Sequence, residues 1–194
     1  MVILGSTSTT RINLLKQAGV DFTSIAPDIE EVEKQRQLRQ LDPVEMAKEL
    51  AGLKALSLTN QYPDSHIIGA DQILHVGKTV FHKPKNLHEA KNQLKSLRGI
   101  THNLSSALAC AHAGKLIWQT IHHAKLSMRM FSDEFLEDYL ESVGDKIYNS
   151  VGGYQIENQG LQLFEKIEGD YFTILGFPLI PLLEFLRSEK LILS

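Results

Sequence analysis

The sequence predicts one α/β domain over residues 1–194, with a mixed, twisted sheet flanked by helices. Val2 to Leu4 is an apolar run followed by a loop of small residues and a helical segment, the strand–loop–helix order of α/β proteins. A second apolar run, Ile67 to Ala70, leads into Asp71, where we expect the strand to end. With 194 residues, 43% of them hydrophobic, the chain can bury one complete core.

The first part of the chain alternates strand and helix. We expect a helix over Arg11–Ala18, stopped by Gly19, and a second strand over Phe22–Ile25. The segment Pro27–Gln40 is polar and strongly charged, so it is either a solvated excursion or a mobile lid.

A long helix is predicted from Pro43, which suits a first helical turn, to about Thr59. Ala47 and Ala51 lie on one stripe of this helix, and Lys54 falls on the same stripe. An ammonium group on an apolar stripe either snorkels to water or meets an anion. Both interpretations stay open for Lys54.

The remaining elements follow from turn and cap residues. They are a hairpin over Ile73–Phe81, a helix from Asn86 to Leu97, strands over Thr101–Ala111 and Leu116–Met128, a helix over Asp133–Ser142 capped by Ser132, a short strand around Leu161–Phe164, and a final helix from Pro178 to Ser188.

Composition excludes several classes of protein. The formal net charge is −3 and there is no basic stripe, so nucleic-acid binding is not expected. The single cysteine, Cys110, excludes a disulfide framework. We find no basic leader and no long apolar segment, so we expect neither a signal peptide nor a membrane span, and a cytoplasmic protein.

Several residues could carry phosphate chemistry. The loop from Gly5 to Arg11 offers backbone amides and hydroxyls at a helix N-terminus, which favours an anion. Asp71, at the expected strand end, and Lys83 after the hairpin supply an acid and a cation. Each feature also has a plain structural alternative, namely helix capping for the loop, turn capping for Asp71 and a surface position for Lys83.

The histidines do not predict a zinc centre, because no pair has helical i, i+4 spacing with a third ligand. A hard cation held by carboxylates and by substrate phosphates is compatible with Glu31 and Asp71.

Taken in order, these pieces resemble the Maf family of nucleoside triphosphate pyrophosphatases over nearly the whole chain. The matching segments are Leu4 to Arg11, Ala47 to Ala55, Gly69 to Asp71, Lys83 with Pro84, Gly152 to Tyr154, and Gly169 to Tyr171 leading to Gly176 to Pro178. The resemblance implies an elongated, inosine-triphosphatase-like α/β domain with a cleft between two lobes, and homodimers are common in the family.

The resemblance implies hydrolysis of a nucleoside triphosphate between its α- and β-phosphates, with Mg²⁺ or Mn²⁺ as cofactor. Asp71 would be the proton acceptor for the attacking water and would also contact the metal, together with Glu31. Lys54, Lys83 and Arg11 would hold the triphosphate. Phosphoryl transfer needs mainly positioning and positive charge around the moving oxygens, and these residues supply both.

The resemblance also identifies residues that contact substrate. Ser6 and Ser8 lie in the opening motif, and Thr10, Gln72 and Glu157 occupy positions that the family associates with base selection. Thr10 replaces the first arginine of the motif, while Gln72 and Glu157 are similar to the branch that acts on 7-methyl-GTP rather than on dTTP and UTP. A carboxylate suits the N–H groups and the positive charge of a methylated guanine.

Two other functions remain open from the sequence. A nucleotidyl- or phosphotransferase would use the same cationic side chains and would also need a pocket for an acceptor molecule. A nucleotide-binding regulator of cell division would need little catalysis, although the presence of Asp71, Lys54, Lys83 and Arg11 argues against a purely regulatory role. The leading hypothesis is an enzyme that clears modified nucleotides before polymerases use them.

Overall fold

Helices and strands alternate along the chain in the computed structural model, which describes residues 1–193 apart from the side chain at position 158. The strands are β1 (Val2–Gly5), β2 (Thr23–Ile25), β3 (His66–Val76), β4 (Thr79–Phe81), β5 (Thr101–His112), β6 (Lys115–Met128) and β7 (Phe164–Glu168). The α-helices are α1 (Thr9–Gln17), α2 (Glu31–Gln37), α3 (Pro43–Leu56), α4 (Leu87–Leu97), α5 (Asp133–Val143), α6 (Tyr171–Ile174) and α7 (Leu179–Ser188).

The strands form one mixed sheet in the order β2-β1-β3-β5-β6-β7, with β4 paired to β3. β1 is parallel to β2 and β3, whereas β4 and β7 run antiparallel to β3 and β6. The predicted α/β class with a mixed sheet flanked by helices is therefore confirmed. The chain divides into two compact units: unit 1 comprises residues 1–72, 105–122 and 170 onward, and unit 2 comprises residues 73–104 and 123–169.

One prediction about β3 is wrong: the strand does not end at Asp71 but continues to Val76. It continues because its second half pairs with β4 in the hairpin predicted around Gly77, with Leu74 opposite Phe81. The parallel partner β1, however, stops at Gly5, opposite Gly69. Asp71 therefore lies just beyond the carboxyl end of β1, although it is inside β3.

The first part of β3 separates two packed faces of unit 1, because successive side chains of a strand point to opposite faces. Ile67 packs with Ile3 and with Leu58, which follows α3. On the other face, Ile68 and Ala70 join a larger core. That core includes Leu14 and Leu15 of α1 and Leu179, Leu182 and Phe185 of α7.

Helix α3 lies directly against the backbone of β3 because Gly69 has no side chain. A Cβ atom at Gly69 would lie 2.1 Å from the carbonyl oxygen of Ala51 and 2.6 Å from the backbone nitrogen of Ala55. Ala51 and Ala55 are one turn apart and fully buried, so the helix presents a flat stripe to the strand. This close approach brings the α3 side chains to the strand face that carries Asp71.

We expect Gly69→Ala to lower the free energy of unfolding by about 3 kcal/mol, because the new methyl group meets helix backbone that cannot rotate away. Gly5→Ala is the matched control, since its Cβ atom would make only ordinary contacts, at 3.4 Å from the carbonyl oxygens of Ile68 and Lys54. Urea unfolding of both variants measures the difference. Equal stabilities would contradict the account of this packing.

Unit 2 contains the predicted cap residues in their expected roles. Asn86 Oδ1 accepts from the backbone N–H of Glu89 at the start of α4, and Ser132 Oγ accepts from that of Phe135 at the start of α5. The strand predicted around Leu161–Phe164 is only partly correct. Residues up to Leu163 form a 3₁₀ helix, and β7 begins at Phe164.

Two short helices of unit 1 were not predicted. α2 forms within the charged segment and buries none of its residues, so no apolar periodicity marks it. α6 has only four residues and is started by Asp170, whose carboxylate accepts from the N–H of Thr173 at 2.8 Å.

Cys110 is fully buried in the core, as a small apolar residue would be. Among residues 1–193, none of the helices is both long enough and apolar enough to cross a membrane.

Candidate active site

A lysine lies between two carboxylates on the α3 face of unit 1. Lys54 Nζ is 2.6 Å from Asp71 Oδ1 and 2.8 Å from Glu31 Oε2. Lys54 and Asp71 are only 5% and 3% exposed, whereas the side chain of Glu31 is about half exposed. Of the two interpretations of Lys54, the structure favours contact with anions over snorkelling to water.

The sequence places these groups through simple periodicity. Asp71 follows Gly69 by two residues, so both face α3. Ala55 contacts the Gly69 position, and Lys54 is the residue before it on α3. The side chain of Lys54 therefore lies beside the carboxylate of Asp71. Glu31 is the first residue of α2 and reaches the same ammonium group.

Asp71 is buried asymmetrically. Its Oδ1 atom accepts from Lys54, while its Oδ2 atom is buried and has no hydrogen-bond partner among the described residues. Burial raises the pKa of this carboxyl group, an effect opposed by the charge and hydrogen bond of Lys54 and by the charge of Arg11. A carboxylate with a raised pKa is a stronger base than an exposed one.

Arg11 approaches the site from the first part of α1. Its Nη1 atom donates to the carbonyl oxygen of Ala70 at 2.8 Å, and its Nε atom donates to that of Gly176 at 3.1 Å. Burial lowers the pKa of this guanidinium, while Asp71 and Glu31 raise it. The Nη2 group and one N–H of Nη1 have no acceptor among the described residues, so they are available to an anion.

The loop between β1 and α1 is held by hydroxyl groups. Ser6 Oγ accepts from the N–H of Ser8 at 3.2 Å, and the carbonyl oxygen of Ser6 accepts from Ser24 Oγ at 2.6 Å. Ser8 is the N-cap residue of α1, but its side chain makes no capping bond. Thr10 is half-buried in the first turn. The alternative that this loop serves only for helix capping therefore finds no support at Ser8.

Gln72 follows Asp71 but points to the opposite face of β3. Its Nε2 atom donates to Ser106 Oγ at 2.9 Å and to the carbonyl oxygens of Thr173 at 3.1 Å and Ile174 at 3.0 Å. All of these partners lie in unit 1.

Lys83 and Glu157 belong to unit 2, and both are exposed. Lys83 lies between β4 and α4, and Glu157 immediately precedes the 3₁₀ helix that leads to β7. The structure thus brings Arg11, Glu31, Lys54 and Asp71 together, whereas the predicted roles of Lys83 and Glu157 stay predictions.

The sequence did not indicate two contributors to the site. The first is the pair of backbone carbonyl groups, of Ala70 and Gly176, that hold Arg11, because a backbone contact does not depend on residue type. The second is Ser106, which is fully buried on β5. The available signal was the pair Ser105 and Ser106 in the run Leu104–Ala111, which is otherwise apolar, because a buried hydroxyl needs a partner.

The donor set fits a divalent cation of the magnesium type. No cluster of three or more His, Cys, Asp or Glu suited to a metal occurs among the described residues. Glu31 and Asp71 nevertheless supply two carboxylates that contact one ammonium group, and the buried Asp71 Oδ2 atom accepts from no donor in the described part of the chain. Mg²⁺ typically uses one or two carboxylates, completed by substrate phosphates and water.

The sequence of this chain is similar to those of known proteins. Residues 1–189 match the family of Maf-like proteins. A nucleoside triphosphate pyrophosphatase of Bradyrhizobium diazoefficiens is 46% identical over 191 residues, which are 98% of this chain and 95% of the relative. A 7-methyl-GTP pyrophosphatase of Rhizobium johnstonii is 45% identical over 189 residues, covering 96% and 95%. A protein of the same name from Brucella abortus biovar 1 is 42% identical over 193 residues, covering 98% and 97%.

Proposed function

The chain belongs to the family of Maf-like proteins, and from that premise we propose that it hydrolyses nucleoside triphosphates to a nucleoside monophosphate and pyrophosphate. The observation that carries the proposal is the buried contact between Lys54 and Asp71, with Arg11 beside it. Curated relatives that cover almost the whole chain are named pyrophosphatases, which supports a hydrolase over a regulator without catalysis.

In this proposal, Asp71 is the general base. Its carboxylate accepts a proton from a water molecule as that water attacks the α-phosphorus. The bond between the α-phosphorus and the oxygen that bridges to the β-phosphate breaks, which releases pyrophosphate and leaves the nucleoside monophosphate. The raised pKa favours this role, because proton acceptance requires a base of sufficient strength. Lys54 and the unused N–H groups of Arg11 stabilise the charge that develops on the phosphate oxygens.

We assign Glu31 and Asp71 as the residues that hold a divalent cation, Mg²⁺ or Mn²⁺. When bound, such a cation neutralises triphosphate charge. Lys83 is assigned to the phosphates, and Ser6 and Ser8 to the same substrate, from their matching motifs. In this assignment, the ammonium of Lys54 exchanges Glu31 for a phosphate oxygen when substrate and cation bind.

For the base, we propose 7-methyl-GTP as the preferred substrate, with Glu157 and Thr10 as residues that select it. The carboxylate of Glu157 suits both the N–H groups of guanine and the positive charge of its methylated ring. Several similar relatives carry that substrate in their names, which supports the choice. We further propose that the protein clears modified nucleotides in the cytoplasm; a homodimer stays a prediction.

A substrate panel tests this proposal. We expect pyrophosphate release from 7-methyl-GTP with Mg²⁺ or Mn²⁺ to exceed that from dTTP and UTP by about tenfold or more, since a mismatched hydrogen-bonding group on the base costs at least this much. Steady-state kcat/KM for each triphosphate, without an added acceptor, is the measurement. A preference for dTTP or UTP would overturn the assignment of the base, and a requirement for an acceptor would indicate a transferase.

A further inference from the structure

The side-chain amide of Gln72 has only one possible orientation, because all of its neighbours in unit 1 that face the nitrogen are hydrogen-bond acceptors. The carbonyl oxygens of Thr173 and Ile174 can only accept, so the group that faces them must be the –NH₂ of the side chain. Ser106 Oγ donates to the carbonyl oxygen of Thr173 at 2.7 Å and therefore accepts from Gln72. The amide nitrogen is thus fully committed to protein acceptors.

These carbonyl groups lie at the end of α6, where the chain forms a Schellman motif. The N–H of Phe177 donates to the carbonyl oxygen of Phe172, and that of Gly176 donates to the carbonyl oxygen of Thr173, each at 3.0 Å. Gly176 has a φ of +79°, which a residue without a side chain adopts readily. Among the described residues, no backbone N–H donates to the carbonyl oxygen of Ile174 at this helix end. The side-chain amide of Gln72 donates to it instead.

The carbonyl group of Gly176 contacts Arg11, a residue of the candidate site. Its oxygen accepts from Arg11 Nε, and the carbonyl oxygen of Ala70 accepts from Arg11 Nη1. These two bonds fix the plane of the guanidinium and so decide where its remaining N–H groups point. An ideal Cβ atom at Gly176 would lie 3.1 Å from Gln72 Oε1, so the amide and this turn are in contact.

We propose that Gln72 is a positioning residue, which holds the end of α6 so that Gly176 orients Arg11 toward the triphosphate. This inference rests on the proposed binding of a triphosphate by Arg11, and it differs from the expectation that Gln72 selects the base. Asp71 and Gln72 then serve one site from opposite faces of β3, the first by contact and the second through α6. Ser106 has the same role as Gln72, because it bonds both the amide and Thr173.

Tripolyphosphate, which carries no base, distinguishes the two roles. We expect Gln72→Leu to weaken the binding of tripolyphosphate in the presence of Mg²⁺ by about tenfold, measured by calorimetry, because a misplaced guanidinium loses part of a charged hydrogen bond. The rank order of nucleoside triphosphates should not change. Ser106→Ala should act in the same direction with a smaller effect, and it serves where Gln72→Leu does not fold.

Two controls separate positioning from general damage. Thr59→Ala removes another buried hydroxyl of unit 1, one that donates to the carbonyl oxygen of Leu56 and not to α6, and should leave tripolyphosphate affinity unchanged. In an Arg11→Ala background, the loss of Gln72 should weaken tripolyphosphate binding no further, since the residue acts through Arg11.

Unchanged tripolyphosphate affinity in Gln72→Leu, or a loss that adds to that of Arg11→Ala, would overturn the inference. Unchanged affinity with an altered base preference would make Gln72 a base-selecting residue. Because calorimetry does not require turnover, a protein that binds tripolyphosphate but releases no pyrophosphate would refute the proposed function and still test Gln72.

Discussion

Asp71→Asn is expected to reduce pyrophosphate release by about 10³-fold, within the range that a positioned general base contributes. The amide keeps the size of the side chain, and its oxygen can still accept from Lys54, but it cannot take a proton from water. Initial rates with 7-methyl-GTP or with the best substrate of the panel measure the loss.

The same substitution should not reduce stability. Because burial raises the pKa of Asp71, the folded state binds the proton more tightly than the unfolded state does. Stability is therefore lost as the pH rises from the unfolded pKa through the folded one, and a neutral amide avoids this loss. Urea unfolding at pH 7 should give Asp71→Asn a free energy of unfolding equal to or above that of the wild type.

Asp133→Asn is the matched control, because it removes an exposed carboxylate of unit 2. Arg98 and Lys95 bond this carboxylate and lower its pKa to about 2. The Asp133→Asn variant should release pyrophosphate at the wild-type rate. Full activity in Asp71→Asn would remove Asp71 from the chemistry and would contradict the proposed mechanism.

Lys54→Met is the second variant with a large expected effect, a reduction in kcat/KM of about 10²–10³-fold. The substitution removes the charge between Asp71 and Glu31 while an unbranched side chain still fills the buried stripe. Lys54 is also the main group that holds the pKa of Asp71 down against burial. Without it, that pKa rises further.

The pH profile of the residual activity therefore tests this variant. Activity requires ionised Asp71, so in both proteins it should increase as the pH rises through the pKa of this residue. The midpoint of that increase should lie at higher pH in Lys54→Met than in the wild type. Lys48→Met, on the same helix and paired with Glu45 at the surface, should change neither rate nor midpoint. A midpoint that does not move would mean that the rate reports another group.

The sequence predicted the parts of the fold that depend on local chemistry. Pro43 begins α3, Asn86 and Ser132 cap their helices, and Gly77 turns the β3–β4 hairpin, because caps and tight turns need particular residue types. Helix α2 was missed because charged residues without a buried face give no periodic signal.

The sequence identified four of the residues that lie together in unit 1, but not their arrangement; their roles stay predictions. Asp71, Lys54, Arg11 and Glu31 were identified from motif and pattern, whereas the two carboxylates on one ammonium group depend on tertiary packing. The motif around Asp71 includes Gly69, whose structural role is to allow the close approach of α3, and the motif alone does not reveal that role. The position of Arg11 depends on carbonyl groups that every residue has, so no sequence pattern could reveal it.

The central claim is cleavage between the α- and β-phosphates, and product analysis tests it most directly. Purified protein would be incubated with 7-methyl-GTP and Mg²⁺ without an acceptor, and the phosphorus products followed by ³¹P NMR. The account predicts equal amounts of nucleoside monophosphate and pyrophosphate from the wild type, and formation of both about 10³-fold slower in Asp71→Asn. A nucleoside diphosphate with inorganic phosphate, or tight binding of the nucleotide without any product, would contradict it.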